Sequence, residues 1–173
     1  MPELIAPTAG LYAGWLEARQ EWGPGVHEDG FGLRPSDEVD SQAGFTAWVA
    51  RLAADSDQAK AVMAGRSCCT YRWIVEDGRV LGGIALRHGF NDLVQRLGHF
   101  GYGIRPSSRR LGLATWALGR MLEEARGLGL DRVLIVCDVD NIASVRTVEG
   151  HGGALEGVRD TELGPVRRYW IKI

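Results

Sequence analysis

Ile104-Arg105-Pro106-Ser107-Ser108-Arg109-Arg110-Leu111-Gly112-Leu113-Ala114 is the stretch on which the reading of this chain turns. Before it lies Leu97 to Ile104, an apolar strand with glycines at 98, 101 and 103, stopped by Pro106. Glycines weaken a strand interior, and they mark bulges or places where something comes close to the backbone. After it, Leu111, Ala114, Leu118, Met121, Leu122 and Ala125 keep a helical period to about Leu128, where Gly127 and Gly129 end the helix. A strand feeding straight into a helix start offers unpaired N–H groups and a positive dipole end, which suits a phosphate. Gly112 and Ala114 would let a bulky pyrophosphate approach. The alternative is that they are simply small residues packed on a sheet. The Gly-x-x-x-x-Gly-Lys-Ser/Thr nucleotide loop is absent, as is a strand-bound Gly-x-Gly-x-x-Gly with an acidic ribose partner.

Working outward, Thr8–Trp22 and Ser41–Ala54 carry apolar residues at helical spacing, the second as Phe45, Trp48, Val49 and Leu52. The segment between them, from Gly23 through Asp37, is rich in turn formers and reads as an exposed loop. Strands are expected at Tyr71–Val75 and Val80–Leu86, joined at Asp77-Gly78, a good hairpin signal. After the central helix come a buried strand at Arg132–Cys137, a short helix at Asn141–Glu149 capped by Asp140 or Asn141, and final strands at Ala154–Val158 and Val166–Ile173. With 173 residues and no repeat or linker, this order predicts one α/β (α+β) domain over residues 1–173.

The composition is that of an ordinary globular protein, with 45% hydrophobic and 24% charged residues. A formal charge of −2 gives no broad attraction to nucleic acid or anionic lipid. No basic leader and no apolar run of spanning length is seen, so a cytoplasmic protein without membrane or nucleic-acid partners is expected. The three cysteines form neither a disulfide framework nor a metal-ligand spacing, and no histidine pair, His27 and His151 included, supports a metal. Cys137 reads as a buried structural thiol, and Trp15, Trp22 and Trp48 as core.

Arg109-x-x-Gly112-x-Ala114 resembles the Arg/Gln-x-x-Gly-x-Gly/Ala signature of the GNAT superfamily of N-acetyltransferases. The resemblance extends from about Val80 to Leu155, through Gly98-His99-Phe100-Gly101-Tyr102-Gly103-Ile104-Arg105-Pro106, Asp140-Asn141-x-x-Ser144 and Gly152-Gly153. It is similar to the bacterial branch of predicted acetyltransferases. The resemblance implies a central mixed, mostly antiparallel sheet of six or seven strands flanked by about four helices, with a V-shaped splay between strands 4 and 5 that admits the pantetheine arm of acetyl-CoA. It implies that main-chain groups of Tyr102 and Ile104 pair with the pantetheine amides and that backbone N–H groups of Arg109, Arg110, Leu111, Gly112, Leu113 and Ala114 hold the pyrophosphate. Asn141 matches a family residue that contacts the pantetheine arm.

By the same resemblance, acetyl-CoA is the cosubstrate, no metal is needed, and a neutral primary amine attacks the thioester directly. The acceptor would be a small-molecule amine or a protein N-terminus, and a homodimer is compatible with the family. His99 is the candidate base, since relatives often carry a glutamate there and imidazole titrates near neutrality. Strand alternation would put His99 with Gly101 and Gly103 on the cleft face, the alternative being a structural histidine. Ser144 matches a serine proposed as the acid in relatives that acetylate ribosomal-protein N-termini; otherwise it is a helix residue bonded to a carbonyl. The tyrosine found in many relatives seven residues after the asparagine is Val148 here, which cannot donate a proton. A fold that keeps CoA but has lost turnover is the alternative this departure raises. Arg87, His88 and Asn91, after the third strand, are candidate acceptor contacts, or else solvated loop residues with one capping asparagine.

Overall fold

The computed structural model describes residues 1–23 and 30–173. His27 and the centre of the loop expected between the first two helices lie outside the described residues. In chain order the elements are β1 (Glu3–Ile5), α1 (Tyr12–Trp22), α2 (Gln42–Asp55), α3 (Gln58–Met63), β2 (Cys69–Glu76), β3 (Arg79–Arg87), α4 (Asp92–Leu97), β4 (Phe100–Ile104), α5 (Leu113–Gly127), β5 (Arg132–Asp138), α6 (Ile142–Gly150), β6 (Ala154–Thr161) and β7 (Gly164–Lys172).

The strands form two antiparallel sheets, β1-β2-β3-β4 and β5-β7-β6. They touch at a single bridge, Gly98 to Ile135. Past that bridge β4 and β5 share no ladder, so the expected splay opens between them. The expectation of one mixed sheet is thereby refined to two antiparallel ones.

Alternation along β4 divides the molecule. Phe100, Tyr102 and Ile104 face α5 and pack with Ile84, Leu118, Met121 and Ile135. The opposite face belongs to α1 and α2, where Trp15, Phe31, Phe45, Trp48 and Trp73 form an aromatic cluster. Trp15 and Trp48 are thus core, as expected, with ring centroids 4.7 Å apart. Glycines on this face make room for a loop: a side chain at Gly30 would meet the Gly101 carbonyl at 2.9 Å, and one at Gly83 would meet the Phe31 ring at 2.9 Å.

Four expectations are corrected. The strand expected from Leu97 starts at Phe100, because Asn91 caps α4, accepting the Val94 N–H, and Gly98 closes it at φ 80°. Helix α5 starts at Leu113, because Arg110 and Gly112 take left-handed conformations (φ 64° and 76°) that hold the chain out of the helix. The first helix likewise starts later than Thr8, which caps a 3-10 turn over Ala9–Leu11 ahead of α1. Six α-helices are present among the described residues, not about four, since α3 and α4 are each six residues long and show no periodic stripe.

Candidate active site

Two main-chain bonds fix which way β4 presents its backbone. Arg87 N–H donates to His99 O and Arg105 N–H donates to Leu81 O. In an antiparallel ladder such residues recur every second position. Residues 99, 101, 103 and 105 therefore bond to β3, and Phe100, Tyr102 and Ile104 turn their N–H and C=O groups toward the β5 side, where no ladder partner exists. Ile104 O is taken by Arg109 Nε at 3.0 Å, which ties the loop to the strand end.

Beyond Ile104 the chain makes a 3-10 turn at Pro106–Ser108 and enters α5 through Gly112, which provides no side-chain cap. The first N–H groups of α5 are thereby left for a ligand. No atom lies within 4 Å of a side chain built at Gly112, so that glycine faces open space and is not packed on the sheet. The loop is braced from behind. Arg105, 3% exposed at its side chain, bonds Glu21 through Nε at 2.7 Å and Glu17 through Nη2 at 2.9 Å. Glu21 also accepts from the Ser107 N–H and, at 3.0 Å, from its hydroxyl. Burial opposes ionisation of Glu21, and the Ser107 N–H and Arg105 outweigh it, so its pKa is lowered. The residue pair Glu17 and Glu21 thus anchors the loop to α1.

A cleft of about 750 Å³ runs from this loop into the splay, lined by Tyr102–Ile104, Ser108–Arg110, Gly112–Thr115 and Asn141–Thr147 except Ile142 and Val145, with Trp22 at its edge. Trp22, expected in the core, is only partly buried and stands edge-on to Phe31 at 79°. Arg109, Arg110 and Arg146 line the cleft and, among the described residues, no carboxylate does, a charge balance that fits the phosphates of a CoA-type ligand. Arg146 was not legible in the sequence, since it sits on the exposed side of α6 with no motif around it. Leu111 is 69% exposed beside the loop.

At the inner end of the cleft, Tyr102 Oη and Ser144 Oγ lie 2.6 Å apart. Asn141 caps α6 with its Oδ1, accepting the Ser144 N–H at 3.1 Å, so one residue both lines the cleft and sets the serine. Burial raises the Tyr102 phenol to about 12, against the Ser144 hydrogen bond that lowers it. Burial also raises the Cys137 thiol, which shares a hydrogen bond with Ser144. Val148 is fully buried. The pairing of Tyr102 with Ser144 was missed from sequence because the two side chains are 42 residues apart.

The orientation expected for His99 is corrected. It precedes β4, is 3% exposed, and its Nδ1 accepts the Leu134 N–H at 2.9 Å while its own N–H donates to Leu134 O at 2.7 Å. Gly89 supplies a further backbone partner, and burial lowers the imidazole pKa. These bonds clamp β4 to β5 at the apex of the splay, and His99 is not among the residues lining the cleft. The Arg87 guanidinium donates to Gly98 O at 3.2 Å and lies beside Gly101 on the α1 face. His88 Nε2 lies 2.7 Å from Thr70 Oγ1, and Asn91 donates to Ser67 at 2.8 Å besides capping α4. All three cysteines are free and buried. Among the described residues no cluster of metal-ligating side chains occurs, and no helix is long and apolar enough to cross a membrane.

A family model described as an acetyltransferase (GNAT) domain matches residues 33–153. Comparison with curated protein sequences finds no match. Among solved structures, the Salmonella typhimurium acetyl transferase that modifies the N-terminal serine of 50S ribosomal subunit protein L7/L12 superposes with a TM-score of 0.68 at 17% identity, over 99% of this chain and 95% of its own. Mycobacterium smegmatis RimJ in complex with CoA-disulfide gives 0.72 at 17% identity, over 99% and 81%. The microcin C7 self-immunity acetyltransferase MccE in complex with acetyl-CoA and AMP gives 0.68 at 18% identity, over 99% and 92%. At these identities the structures establish a shared fold, and the family match covers the strands and the loop from which the cleft is built. The chain belongs to the GNAT acetyltransferase family.

Proposed function

We propose that this protein is an acetyl-CoA-dependent N-acetyltransferase that transfers the acetyl group directly to a primary amine. The observation that carries the reading is the continuity of one cleft. It runs from an uncapped helix start flanked by Arg109 and Arg110, along the unpaired edge of β4, to a hydroxyl pair at Tyr102 and Ser144. Each part meets one portion of acetyl-CoA: N–H groups from Arg109 to Ala114 for the pyrophosphate, main-chain groups of Tyr102 and Ile104 for the pantetheine amides, with Asn141 on the facing wall. Related structures bind acetyl-CoA or CoA.

In the reaction the neutral amine forms the new C–N bond to the thioester carbonyl, the C–S bond breaks, the amine proton leaves to water, and the CoA sulfur leaves as thiolate or thiol. Tyr102, kept protonated by burial, is the proton donor to that sulfur, with Ser144 orienting it, and the phenolate so formed regains a proton from water before the next turnover. This assignment replaces the tyrosine missing at Val148 and weakens the alternative of a CoA-binding fold without turnover. His99 is assigned to holding β4 against β5. The acceptor is a small-molecule amine or a protein N-terminus, the latter being what the Salmonella relative modifies.

Thermal unfolding with and without acetyl-CoA tests the cofactor. At about a hundredfold excess over Kd, binding stabilises by roughly 2.7 kcal/mol, a rise of about 5 to 10 °C for a chain of this size. An amine screen for CoA release then tests turnover. No shift at millimolar acetyl-CoA would sink the proposal.

A further inference from the structure

A second cavity, of about 250 Å³, lies on the far side of β4 from α5, between α4 and the ends of β2 and β3. Its lining includes Arg34, Arg66 and Arg87, and Asp55 as the one carboxylate among the described residues. Asp55 is already neutralised: Arg51 holds Oδ2 at 3.1 Å and Arg66 holds Oδ1 at 2.5 Å. Arg87 is different. It is half-buried, its one bond is to the Gly98 carbonyl, and no carboxylate among the described residues pairs with it. Two thiols and a phenol in the wall, beside Ser67, Asn91, Leu93 and Val94, add no negative charge, because burial raises Cys69 to about 11 and pushes Cys68 and Tyr71 up as well. A guanidinium so placed is partly shielded from water and lacks a counter-ion, and a ligand anion would supply one.

The position of this charge ties the cavity to the acetyl-transfer cleft. A side chain built at Gly101 would meet Arg87 Nη2 at 3.3 Å, so the guanidinium stands over the residue next to Tyr102. One residue along a strand is about 3.4 Å. An anion held by Arg87 therefore lies within a few bonds' length of the strand edge along which the thioester is expected to run. The cavity is also smaller than the roughly 300–1,000 Å³ of pockets for drug-sized ligands, which suits a carboxylate or phosphate with a few carbons.

Resting on the acetyl-transfer reading above, we infer that the acceptor is a small amine carrying an anionic group, a carboxylate or a phosphate, which the Arg87 cavity binds while the amine reaches through the splay between β4 and β5. The arginine selects the acceptor by charge and sets the distance from anion to amine.

The test is a comparison of matched acceptors, β-alanine against propylamine and O-phosphoethanolamine against ethanolamine, by CoA release. One anionic member is expected to exceed its uncharged partner in kcat/KM by about tenfold to a hundredfold, as a charged hydrogen bond lost or gained would give. That pair identifies carboxylate or phosphate. In Arg87→Met the ratio should collapse toward one, and Arg87→Lys should fall between. Equal ratios in wild type and Arg87→Met, or a preference for the uncharged amines, overturn the inference. Because Arg87 also braces Gly98, Arg34→Met on the exposed rim is a second variant, expected to lower the same ratio about threefold, as a surface ion pair would. Titrating inorganic phosphate and acetate into CoA-saturated protein at constant ionic strength gives a readout without turnover. Saturable binding that Arg87→Met weakens at least tenfold supports the cavity, and no binding, or binding indifferent to Arg87, overturns it. If acetyl-CoA itself fails to bind, the acetyl-transfer reading falls separately, and the same titration on Arg109→Met protein still decides the cavity.

Discussion

Tyr102→Phe removes one oxygen from the inner end of the cleft and should separate binding from chemistry. The phenol stands at about 12, and a thiol leaving group, taking free cysteine as proxy, at roughly 8.5. Complete proton transfer to the thiolate is thus uphill. So weak an acid belongs at the low end of the range for general acids, and we expect kcat to fall about 30- to 100-fold. The lost 2.6 Å bond to Ser144 should cost about 1 kcal/mol of stability and lower Tm by about 2 to 4 °C. Because the proposed donor is the hydrogen-bonded pair of Tyr102 and Ser144, Ser144→Ala should show a similar loss and the double variant little more than either alone. The assay is the initial rate of CoA release from pH 6 to 9.5, with the acetyl-CoA thermal shift of each variant as the control for binding. A group titrating near 12 stays protonated across that window, so the ratio of wild-type to variant rates should be flat. A Tyr102→Phe kcat within threefold of wild type, losses that multiply in the double variant, or a ratio that changes with a midpoint near neutrality would each refute the assignment.

Gly112→Ala places a methyl group at φ 76°, a backbone costing an L-residue about 1 to 2 kcal/mol, and directs it into the open space where the pyrophosphate is proposed to bind. The KM for acetyl-CoA should rise at least about fivefold with kcat little changed; a lower Tm with unchanged KM would mean that the glycine serves the backbone alone. His99→Ala strands the buried Leu134 N–H and should cost about 1 to 3 kcal/mol in a denaturant titration. Since burial lowers the folded-state pKa of His99, its neutral form stabilises the fold above about pH 6.5, and that contribution is lost as pH falls through the lowered value. The acid slope of stability should therefore shrink in the variant, while a rate profile that lost its neutral limb on the same substitution would return His99 to the role of base.

What the sequence discloses follows the range of the interaction. The loop from Arg109 to Ala114 is written locally, in residues that set backbone angles and leave helix N–H groups free, and it is recognisable as a pattern. Helix α5 is legible because its stripe, Leu118, Met121 and Ala125, is long and fully buried. Helix α4 is not, since Leu93 and Leu97 are exposed and one capping asparagine decides it. Strand β1 has three residues and is a strand only by pairing, Ile5 opposite Trp73. Alternation places the His99 backbone but not its ring, which turns to the Leu134 N–H of β5, a partner 35 residues away. The bonds of Arg105 to Glu21 and Glu17 span 84 and 88 residues and exist only in the fold.

The two faces of β4 explain why the cofactor is easier to read than the acceptor. On its edge toward β5 the strand offers main-chain groups, followed by a glycine-bearing loop, and main-chain recognition constrains sequence to a short pattern shared across a family. Toward α1 it offers Gly101 and Gly103, which recognise nothing themselves and only clear space for what stands over them. On the proposed reading, specificity on that face comes from a side chain arriving from elsewhere, Arg87 from β3, which stands over Gly101. The clamp at Gly98 and His99 fixes where the ladder between the sheets stops, and with it the gap between β4 and β5 through which the proposed amine would reach the thioester. It follows that exchange of Arg87 between relatives should change which amine is accepted while leaving acetyl-CoA affinity nearly untouched, whereas changes at Gly112 should do the reverse.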